Sequence, residues 1–308
     1  MNITITGASG LIGRRLLKNL GAAGHALTAV SRHAGTNVPP GVGVVAWDPM
    51  RGPAPEDAVR SADAVIHLAG EPVAQRWNEG AKRRIRDSRV VGTRNLVQAL
   101  GKLRNTPQTL VCASAVGYYG SRGDEELRED SAPADGYLAE VCVAWEKEAV
   151  AAEALGMRVV RVRTGVALDA RGGALHRMLT PFRMGAGGKL GDGKQWFPWI
   201  HLADLAAMFQ FAVENEVSGA FNGAAPIPVS NADFTQTLAR VLHRPAIFPV
   251  PVFALKLLFG EMSEILLASQ RVLPAAAEAA GFKFRFPELG GALEDLLVSS
   301  RQPGSPAA

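Results

Sequence analysis

A glycine-rich turn near the amino terminus, GASGLIG at residues 7–13, constrains the fold more than any other stretch of the sequence. It follows the apolar strand pattern NITIT and precedes a helical pattern that runs through Leu20. Between a strand and a helix, the first glycine permits a tight turn, the second lets a phosphate approach, and the third lets the helix pack on the strand. The free N–H groups and the positive end of the helix dipole favour an anion there. The pattern predicts a dinucleotide site, rather than a purely structural turn, at Gly7, Ser9, Gly10, Leu11, Ile12 and Gly13.

Short apolar strands alternate with helical stretches through the first half of the chain. The later predicted strands are HALTAVS, GVGVVAW, DAVIHLAG, TLVCASA and MRVVRVRTGVAL. This alternation predicts right-handed crossovers and an α/β fold with a doubly wound parallel sheet, a Rossmann fold. The pattern changes beyond Leu168, where we predict a smaller C-terminal substrate lobe. The expected boundaries are 1–168 plus about 197–224 for the dinucleotide-binding domain, about 169–196 and 225–300 for the second lobe, and 301–308 for a flexible tail.

The composition narrows the classes of partner. Charged residues make up 20% of the 308 positions, the net charge is +4, and much of the local basicity falls between Lys82 and Arg89. That run has apolar positions at helical spacing on another side, which favours a solvated helix face. No aromatic interleaving or known module points to nucleic acid, and no apolar run reaches the roughly 18 residues of a membrane span. We predict a small-molecule substrate, no nucleic-acid partner and no membrane partner.

The cysteines and histidines indicate the compartment and exclude a metal centre. Cys112 and Cys142 lie in apolar settings, and the first strand begins without a preceding signal peptide. These features predict reduced thiols in a cytoplasmic protein. The six histidines are scattered, with no Cys/His pairing at ligand spacing, so no metal site is predicted.

Residues at the ends of the second to fourth predicted strands indicate which dinucleotide binds. The second strand ends at Ser31 and Arg32, where an NAD enzyme carries an acidic residue for the ribose. A hydroxyl and a guanidinium suit a 2′-phosphate, and one such contact contributes about 1.5–3 kcal/mol. We therefore predict NADP(H), although a solvated surface arginine is the alternative. Asp48 could bind the adenine amino group or form a turn, and small or apolar residues beside the expected cofactor path are Leu68, Ala69 and Gly70.

Ordered motifs along nearly the whole chain carry a family resemblance. These are GASGLIG, LAGEP (residues 68–72), SRVVGTR (88–94), SAVGYYG (114–120), LAEVC followed by WE, WIHLADLA, RVLP (271–274) and GFKF (281–284). The chain resembles the extended short-chain dehydrogenase/reductase superfamily, and more narrowly its atypical epimerase-like branch. The resemblance implies an NAD-dependent epimerase/dehydratase-type N-terminal domain followed by a short C-terminal domain of unknown function. A fold does not determine a reaction.

The resemblance also implies a catalytic tyrosine, a lysine four residues later and a serine. Ser114 matches the serine by its place after the fifth strand. Aligning on Tyr137 places Val141 in the lysine column, whereas aligning on Glu146 places Leu138 and Cys142 in the tyrosine and lysine columns. Neither alignment yields the pair that lowers the tyrosine pKa, so the usual proton relay is absent.

Three tyrosines are candidates to replace that relay. Tyr118 and Tyr119 follow Ser114 on a loop expected to form one wall of the cleft, and Tyr137 begins the next helix. Arg89 stands where the superfamily often has asparagine, so it could supply the missing positive charge near the cofactor. The alternative is that Tyr118 and Tyr119 only pack against the loop. Residues expected to face the substrate are Trp77, Lys194, Gln195, Trp196, Phe197, Trp199 and His201, although WIH could equally seat the second lobe.

Three functional hypotheses follow. The first is an NADP(H)-dependent oxidoreductase acting on an unknown small carbonyl or hydroxyl compound. The second is a non-catalytic NADP(H)-binding or redox-sensing protein. The third, a nucleotide-sugar epimerase or dehydratase, is disfavoured because such enzymes depend on the Tyr–Lys pair. The chain is expected to be a monomer or homodimer, the latter, by resemblance, through the helices that carry Arg83 and Trp145.

Overall fold

The computed structural model describes residues 1–298. Its strands are β1 (Asn2–Thr6), β2 (Ala26–Ser31), β3 (Gly43–Ala46), β4 (Ala64–His67), β5 (Thr109–Ala115), β6 (Glu126–Leu127), β7 (Arg158–Thr164), β8 (Val166–Asp169), β9 (Trp196–Phe197), β10 (Trp199–His201), β11 (Gly219–Gly223), β12 (Val229–Ser230) and β13 (Arg271–Val272). Its helices are α1 (Leu11–Ala22), α2 (Glu56–Val59), α3 (Glu79–Leu100), α4 (Tyr137–Val150), α5 (Gly173–Arg183), α6 (Leu202–Glu214), α7 (Asn231–Leu242), α8 (Val252–Phe259), α9 (Ser263–Leu267), α10 (Ala275–Ala279) and α11 (Leu289–Leu297). Short 3-10 helices cover Pro49–Arg51, Val116–Tyr119, Ala151–Leu155 and Gly260–Met262.

Seven parallel strands form the central sheet in the order β3-β2-β1-β4-β5-β7-β11. The order of connection reverses between β1 and β4, which opens a crevice at the carboxyl ends of these strands. Ligands of doubly wound α/β folds bind at such a reversal. The predicted Rossmann fold is confirmed.

Helices cover both faces of the sheet, which explains the nearly continuous apolar strands. On one face, α1 and α6 bury residues such as Leu16 and Phe209 against Ile5 and Ile66. The opposite face forms a second cluster, in which α3 and α4 contribute residues that include Leu96, Trp145 and Ala149. β4 and β5 are thus apolar on both sides, whereas β1 is apolar on one side and carries Thr4 and Thr6 on the other.

The stretch predicted as one strand, MRVVRVRTGVAL, forms two strands, and that prediction was wrong. β7 ends at Thr164, and β8 leaves the central sheet to pair with β10. Between them, a Cβ added to Gly165 would lie 2.2 Å from the Pro198 carbonyl oxygen. That carbonyl accepts a hydrogen bond from Val166 N at 2.7 Å. The close approach of the residue 198 backbone therefore redirects the chain at Gly165.

A separate apolar cluster forms the core of the second lobe. Leu175, Phe234 and Leu293 bring α5, α7 and α11 together, and Trp199 is buried among them. The lobe boundaries stay a prediction. The antiparallel pair β9–β12 joins residues 196–197 to residues 229–230, across the boundary expected at 197. The predicted tail, 301–308, lies outside the described residues.

No helix within residues 1–298 combines the length and apolarity needed to cross a membrane. Across the same residues, no cluster of three or more His, Cys, Asp or Glu side chains is arranged to hold a metal ion. Cys112 and Cys142 are both free and buried.

Candidate active site

The glycine turn closes against the end of β4. Gly7 has φ +67°, and a Cβ there would lie 2.8 Å from the Leu68 carbonyl carbon and 2.9 Å from Ala69 N. A Cβ on Gly13 would lie 2.5 Å from Gly7 O, so α1 packs directly on the turn. A Cβ on Gly10 would meet only Gly7 O, at 3.2 Å. Gly7 and Gly13 therefore permit close backbone packing, while Gly10 keeps its outward side open.

The amino end of α1 has the properties of an anion site. Its N-cap, Gly10, is extended and provides no side-chain cap, and the first turn contains no acidic residue. Ser9 and Gly10 are exposed, whereas Leu11 and Ile12 are partly buried. The first N–H groups of a helix have no intrahelical partner, and the helix dipole favours negative charge beside them.

The end of β4 is held in place by a buried polar chain. The Thr6 hydroxyl lies 2.6 Å from His67 Nδ1, and His67 Nε2 lies 3.1 Å from the Thr93 hydroxyl. Thr6 Oγ1 also accepts from Leu68 N and Ala69 N, at 3.2 and 3.3 Å. Burial lowers the pKa of His67 from 6.5 to about 4, so its imidazole is neutral at pH 7. His67 therefore orders the strand end.

The residues predicted to select the dinucleotide lie at the ends of β2 and β3. Arg32 is exposed, and Ser31 is partly buried with its hydroxyl 2.7 Å from the Thr36 hydroxyl. Asp48 caps the following 3-10 helix, accepting from Met50 N at 3.1 Å, and pairs with Arg51 at 3.2 Å. Arg32 is thus available to an anion, whereas Asp48 already serves the local turn.

Arg89 lies beside Gly70 at the end of β4. Its Cζ would be 3.3 Å from a Cβ on Gly70, and it stacks over Trp145 with Cζ 5.2 Å from the ring centroid. Arg89 Nη1 donates to Glu71 O at 2.9 Å and Ile85 O at 3.1 Å. Burial lowers the pKa of Arg89, whereas electrostatic interactions with Cys142, Tyr137 and Glu71 raise it by a smaller amount. An arginine begins so far above neutrality that this guanidinium stays charged.

The register of α4 places Leu138 and Cys142 toward the end of β5. A Cβ on Gly117 would lie 3.4 Å from Leu138 Cβ and 3.8 Å from Cys142 Sγ. Burial raises the pKa of the Cys142 thiol to about 12. Leu138 and Cys142, rather than Tyr137 and Val141, therefore face the segment after β5. An apolar side chain and an inert thiol stand where the resemblance implies tyrosine and lysine.

Ser114 belongs to a buried ionic network. Its hydroxyl donates to Glu146 Oε1 at 2.7 Å, while Arg163 donates from Nε to Oε1 at 2.8 Å and from Nη2 to Oε2 at 3.0 Å. Arg161 adds a contact to Oε2 at 3.2 Å. Burial alone lowers the pKa of Arg163, but Glu146 more than offsets this and the net shift is upward. The Ser114 hydroxyl is therefore already hydrogen-bonded to Glu146 in this structure.

Tyr119 extends the same network instead of facing a cleft. It is fully buried, and its hydroxyl donates to Asn222 Oδ1 at 2.7 Å and accepts from Arg163 Nη1 at 2.9 Å. Burial raises the pKa of Tyr119 to about 12, against the lowering effect of Arg163. Tyr118 packs with its ring against Arg163, whose Cζ lies 3.6 Å from the ring centroid. Both tyrosines thus pack around Arg163 of β7.

Tyr137 is the one of the three tyrosines that lies at the boundary with the second lobe. It is partly buried, contacts Trp77 edge-on at 5.3 Å between ring centroids, and donates to Lys82 O at 2.6 Å. Burial raises the pKa of Tyr137, and the positive charges of Arg89 and Lys82 act in the opposite direction. Its phenol is therefore protonated at neutral pH and lies near two cations.

Residues 259–266, here called the cap segment, cover this boundary. The cap side chains pack with Val73, Trp77, Tyr137 and Leu138 through Phe259, Met262, Ile265 and Leu266. An ion pair joins Lys82 to Glu261 of the cap segment. The approach to Tyr137 from the second lobe is therefore mainly apolar.

Some of the other residues expected to face the substrate are buried, and others are accessible to solvent. Trp199 is 1% exposed and lies in the second-lobe core. His201 caps α6 by accepting from Ala203 N at 3.0 Å. Gln195 donates to Leu190 O at 3.1 Å, and Trp196 donates to Asp124 at 2.8 Å. Trp199 and His201 thus seat the second lobe, whereas the exposed Lys194 and half-buried Trp196 and Phe197 are accessible.

Sequence reasoning missed the roles of Glu146, Arg161 and Arg163. A signal was present, because the β7 sequence RVVRVRT places two arginines on the same face of a strand otherwise built for burial. Buried charges require partners. The pattern therefore indicated a buried carboxylate nearby, which the structure shows to be Glu146.

Two family models match the chain. Residues 3–224 match the NAD dependent epimerase/dehydratase family, and residues 250–296 match a domain of unknown function, DUF1731. The chain is also similar to the epimerase family protein YfhF of Bacillus subtilis (strain 168), with 40% identity over 303 residues that cover 98% of this chain and 99% of the relative.

Solved structures show the same relationship. The crystal structure of human epimerase family protein SDR39U1 (isoform 2) with NADPH has a TM-score of 0.86 and 38% identity, and the match covers 96% of this chain and 99% of that one. A nucleoside-diphosphate sugar epimerase from Corynebacterium glutamicum has a TM-score of 0.79 and 38% identity, covering 96% of this chain and 58% of that one.

Proposed function

The chain belongs to the NAD dependent epimerase/dehydratase family, and we propose that it is an NADP(H)-dependent oxidoreductase acting on a small carbonyl or hydroxyl compound. The observation that carries this proposal is the position of Tyr137, a protonated phenol near Arg89 and Lys82. It lies at the lobe boundary, on the helix that packs against the carboxyl end of β5. A proton donor at this boundary is what a hydride-transfer reaction requires besides its cofactor.

The residues at the crevice fit a phosphorylated dinucleotide. Gly7 and Gly13 hold the turn close to β4 and α1, and the uncapped amino end of α1 faces outward. Arg32, exposed at the end of β2, has the charge that a 2′-phosphate needs. The human relative was crystallised with NADPH, which supports the same choice for this chain. NADPH, when bound, supplies the hydride.

Tyr137 would supply the proton that completes carbonyl reduction. The carbonyl carbon gains the hydride, and the electron pair of the C=O bond takes the phenolic proton to form the alcohol O–H. In the described structure the phenol donates to Lys82 O at 2.6 Å, so a substrate oxygen must replace that carbonyl as acceptor. Arg89 and Lys82 would stabilise the phenolate left behind, which recovers its proton from solvent because Tyr137 is partly exposed.

The surroundings of Tyr137 indicate the kind of substrate. Trp77, Leu138, Met262 and Ile265 pack on the buried side of Tyr137. The open surface beside Tyr137 is instead lined by charged residues, namely Glu79, Lys82, Arg83, Arg86 and Asp87. We expect a substrate that carries polar or charged groups beside its carbonyl or hydroxyl group, because such groups find partners among these residues.

Tyr137→Phe tests the proposal in an assay that follows NADPH oxidation with a panel of aldehydes, ketones and enones. Loss of a general acid typically lowers turnover by about 10²–10⁴-fold, so we expect kcat to fall at least about 100-fold with unchanged NADPH affinity. Tyr118→Phe is the matched control, because Tyr118 packs on Arg163 away from the boundary. Equal turnover by wild type and Tyr137→Phe would exclude Tyr137 as the proton donor.

A second candidate is an NADP(H)-binding protein that performs no turnover. The observation that favours it is that Leu138 and Cys142 occupy the two catalytic columns while the Ser114 hydroxyl is bound to Glu146. Tight NADPH binding without oxidation across the panel would support this candidate over the oxidoreductase. A nucleotide-sugar epimerase, the description given for the Corynebacterium structure, is less well supported, because the same columns lack the Tyr–Lys pair.

A further inference from the structure

The second lobe exposes an unusual number of large apolar side chains on one surface. Their exposed fractions are 77% for Met184, 74% for Ile247, 77% for Phe248, 74% for Phe253, 74% for Leu257 and 64% for Leu258. We call these six residues the α8 surface. Scattered single apolar residues are normal on a soluble protein, whereas a contiguous group marks an interaction site.

Backbone contacts bring the parts of the α8 surface together. Val250 N donates to Lys189 O at 2.8 Å, and Gly191 N donates to Val250 O at 2.9 Å. Arg244 Nε donates to Arg183 O at 3.1 Å, beside Met184. Residues 183–191 therefore run alongside residues 244–252, and α8 continues directly from the second of these segments.

Helix α8 carries apolar residues on its exposed side as well as on its buried side. Leu255 alone is fully buried, at 2% exposure, and anchors the helix to the lobe. Phe253 and Leu257, four residues apart, share the outward side with Lys256. Phe253 is 74% exposed and Leu257 74% exposed, so this side of α8 is apolar and uncovered.

The residues beside the α8 surface include more exposed cations than exposed carboxylates, which are Asp192, Glu261 and Glu264. The exposed cations of its two segments and of the end of α7 are Arg183, Lys189, Arg240, Arg244 and Lys256. Between residues 240 and 259 the sequence contains no Asp or Glu. Two copies meeting through this surface would bring these cations together, which disfavours self-association. An anionic partner is favoured.

We propose that the α8 surface binds the interface of a bilayer that contains anionic phospholipids. Phe248, Phe253 and Leu257 enter the acyl boundary, while Arg244 and Lys256 lie among the headgroups. Apolar burial combined with attraction to anionic lipid is the usual basis of such peripheral binding. We predicted no membrane partner from the sequence because it contains no spanning segment, and a surface formed by two segments distant in the sequence does not produce such a pattern.

Vesicle flotation tests the proposal with the full-length protein and a Phe253→Ser/Leu257→Ser variant. Wild type should bind vesicles of equal parts phosphatidylcholine and phosphatidylglycerol, and bind pure phosphatidylcholine vesicles at least tenfold more weakly. The double variant should lose at least about tenfold in partition constant, because each buried apolar side chain contributes strongly. Lys256→Ala should lose about fivefold, an effect that high salt removes.

Matched controls separate binding from misfolding. Both substituted residues are about three-quarters exposed, so the double variant should keep the thermal unfolding midpoint of wild type. Val143→Ser removes an apolar residue that is 40% exposed on α4 and should bind vesicles like wild type. Three results would overturn the proposal: no flotation of wild type, flotation equal for wild type and the double variant, or a wild-type dimer that the double variant dissociates.

Discussion

His67 shows how burial determines the role of a single ionisable residue. Both ring nitrogens lie within hydrogen-bonding distance of threonine hydroxyls, 2.6 Å for Thr6 and 3.1 Å for Thr93. Cys142 is similar, since burial raises the pKa of its thiol to about 12. His67 and Cys142 are both buried, so neither side chain is accessible to a substrate. Tyr137 is partly exposed, and for that reason we propose it, rather than either of these residues, as the proton donor.

The low pKa of His67 predicts a specific pH dependence of stability. The unfolded imidazole takes up a proton below its ordinary pKa of 6.5, whereas the folded one does so only near pH 4. Protonation thus stabilises the unfolded chain, so stability is complete above pH 6.5 and falls toward pH 4. With about 1.4 kcal/mol per pKa unit, the loss reaches about 3 kcal/mol.

Urea denaturation of wild type and His67→Gln across this pH range measures the effect. The glutamine variant retains hydrogen-bonding atoms but cannot titrate. Between pH 6.5 and pH 4 its free energy of unfolding should therefore fall by about 3 kcal/mol less than that of wild type. Identical slopes for the two proteins would show that the pKa of His67 is the same in the folded and the unfolded chain, which contradicts this prediction.

Helix α4 and strand β7 are joined by charge rather than by apolar contacts alone. Glu146 accepts from Ser114, Arg161 and Arg163 across two layers of the fold. Its carboxylate is 6% exposed and the Arg163 side chain 4%. A buried ion pair tolerates poorly the loss of one partner, because the remaining charge has no compensation.

Glu146→Gln tests this contribution at the scale of the element. Leaving Arg163 uncompensated should lower the free energy of unfolding by about 3–5 kcal/mol. Glu148→Gln on the same helix is the control, since Glu148 pairs with Arg94, whose side chain is 50% exposed. That exposed pair should contribute about 0–1 kcal/mol. Equal losses in the two variants, measured by urea denaturation, would contradict the proposed network.

The fold of the whole molecule could be predicted largely from the sequence, because its signals are local. The glycine spacing at residues 7–13 and the alternation of strands with helices each depend on short stretches. The break at Gly165 could not be predicted, since it depends on the approach of Pro198 from a distant segment. The boundaries between the lobes stay a prediction for the same reason.

The position of the glycine turn between β1 and α1 could be predicted from its spacing together with the flanking strand and helix patterns. The binding roles of that turn and of Arg32 stay predictions. The burial of Tyr119, and the attachment of Ser114 to Glu146, depend on side chains that only the folded chain brings together. Spacing within one helix could not show which residues of α4 face the segment after β5. The position of Leu138 beside Gly117 shows it.

We propose that a phosphorylated dinucleotide binds across the amino-terminal turn with its 2′-phosphate at Arg32. The most direct test is calorimetric titration of wild type and Arg32→Ala with NADPH and with NADH. Wild type should bind NADPH at least about tenfold more tightly than NADH, and Arg32→Ala should abolish that preference while retaining NADH binding. Equal affinities of wild type for the two nucleotides, or no heat with either, would contradict the account.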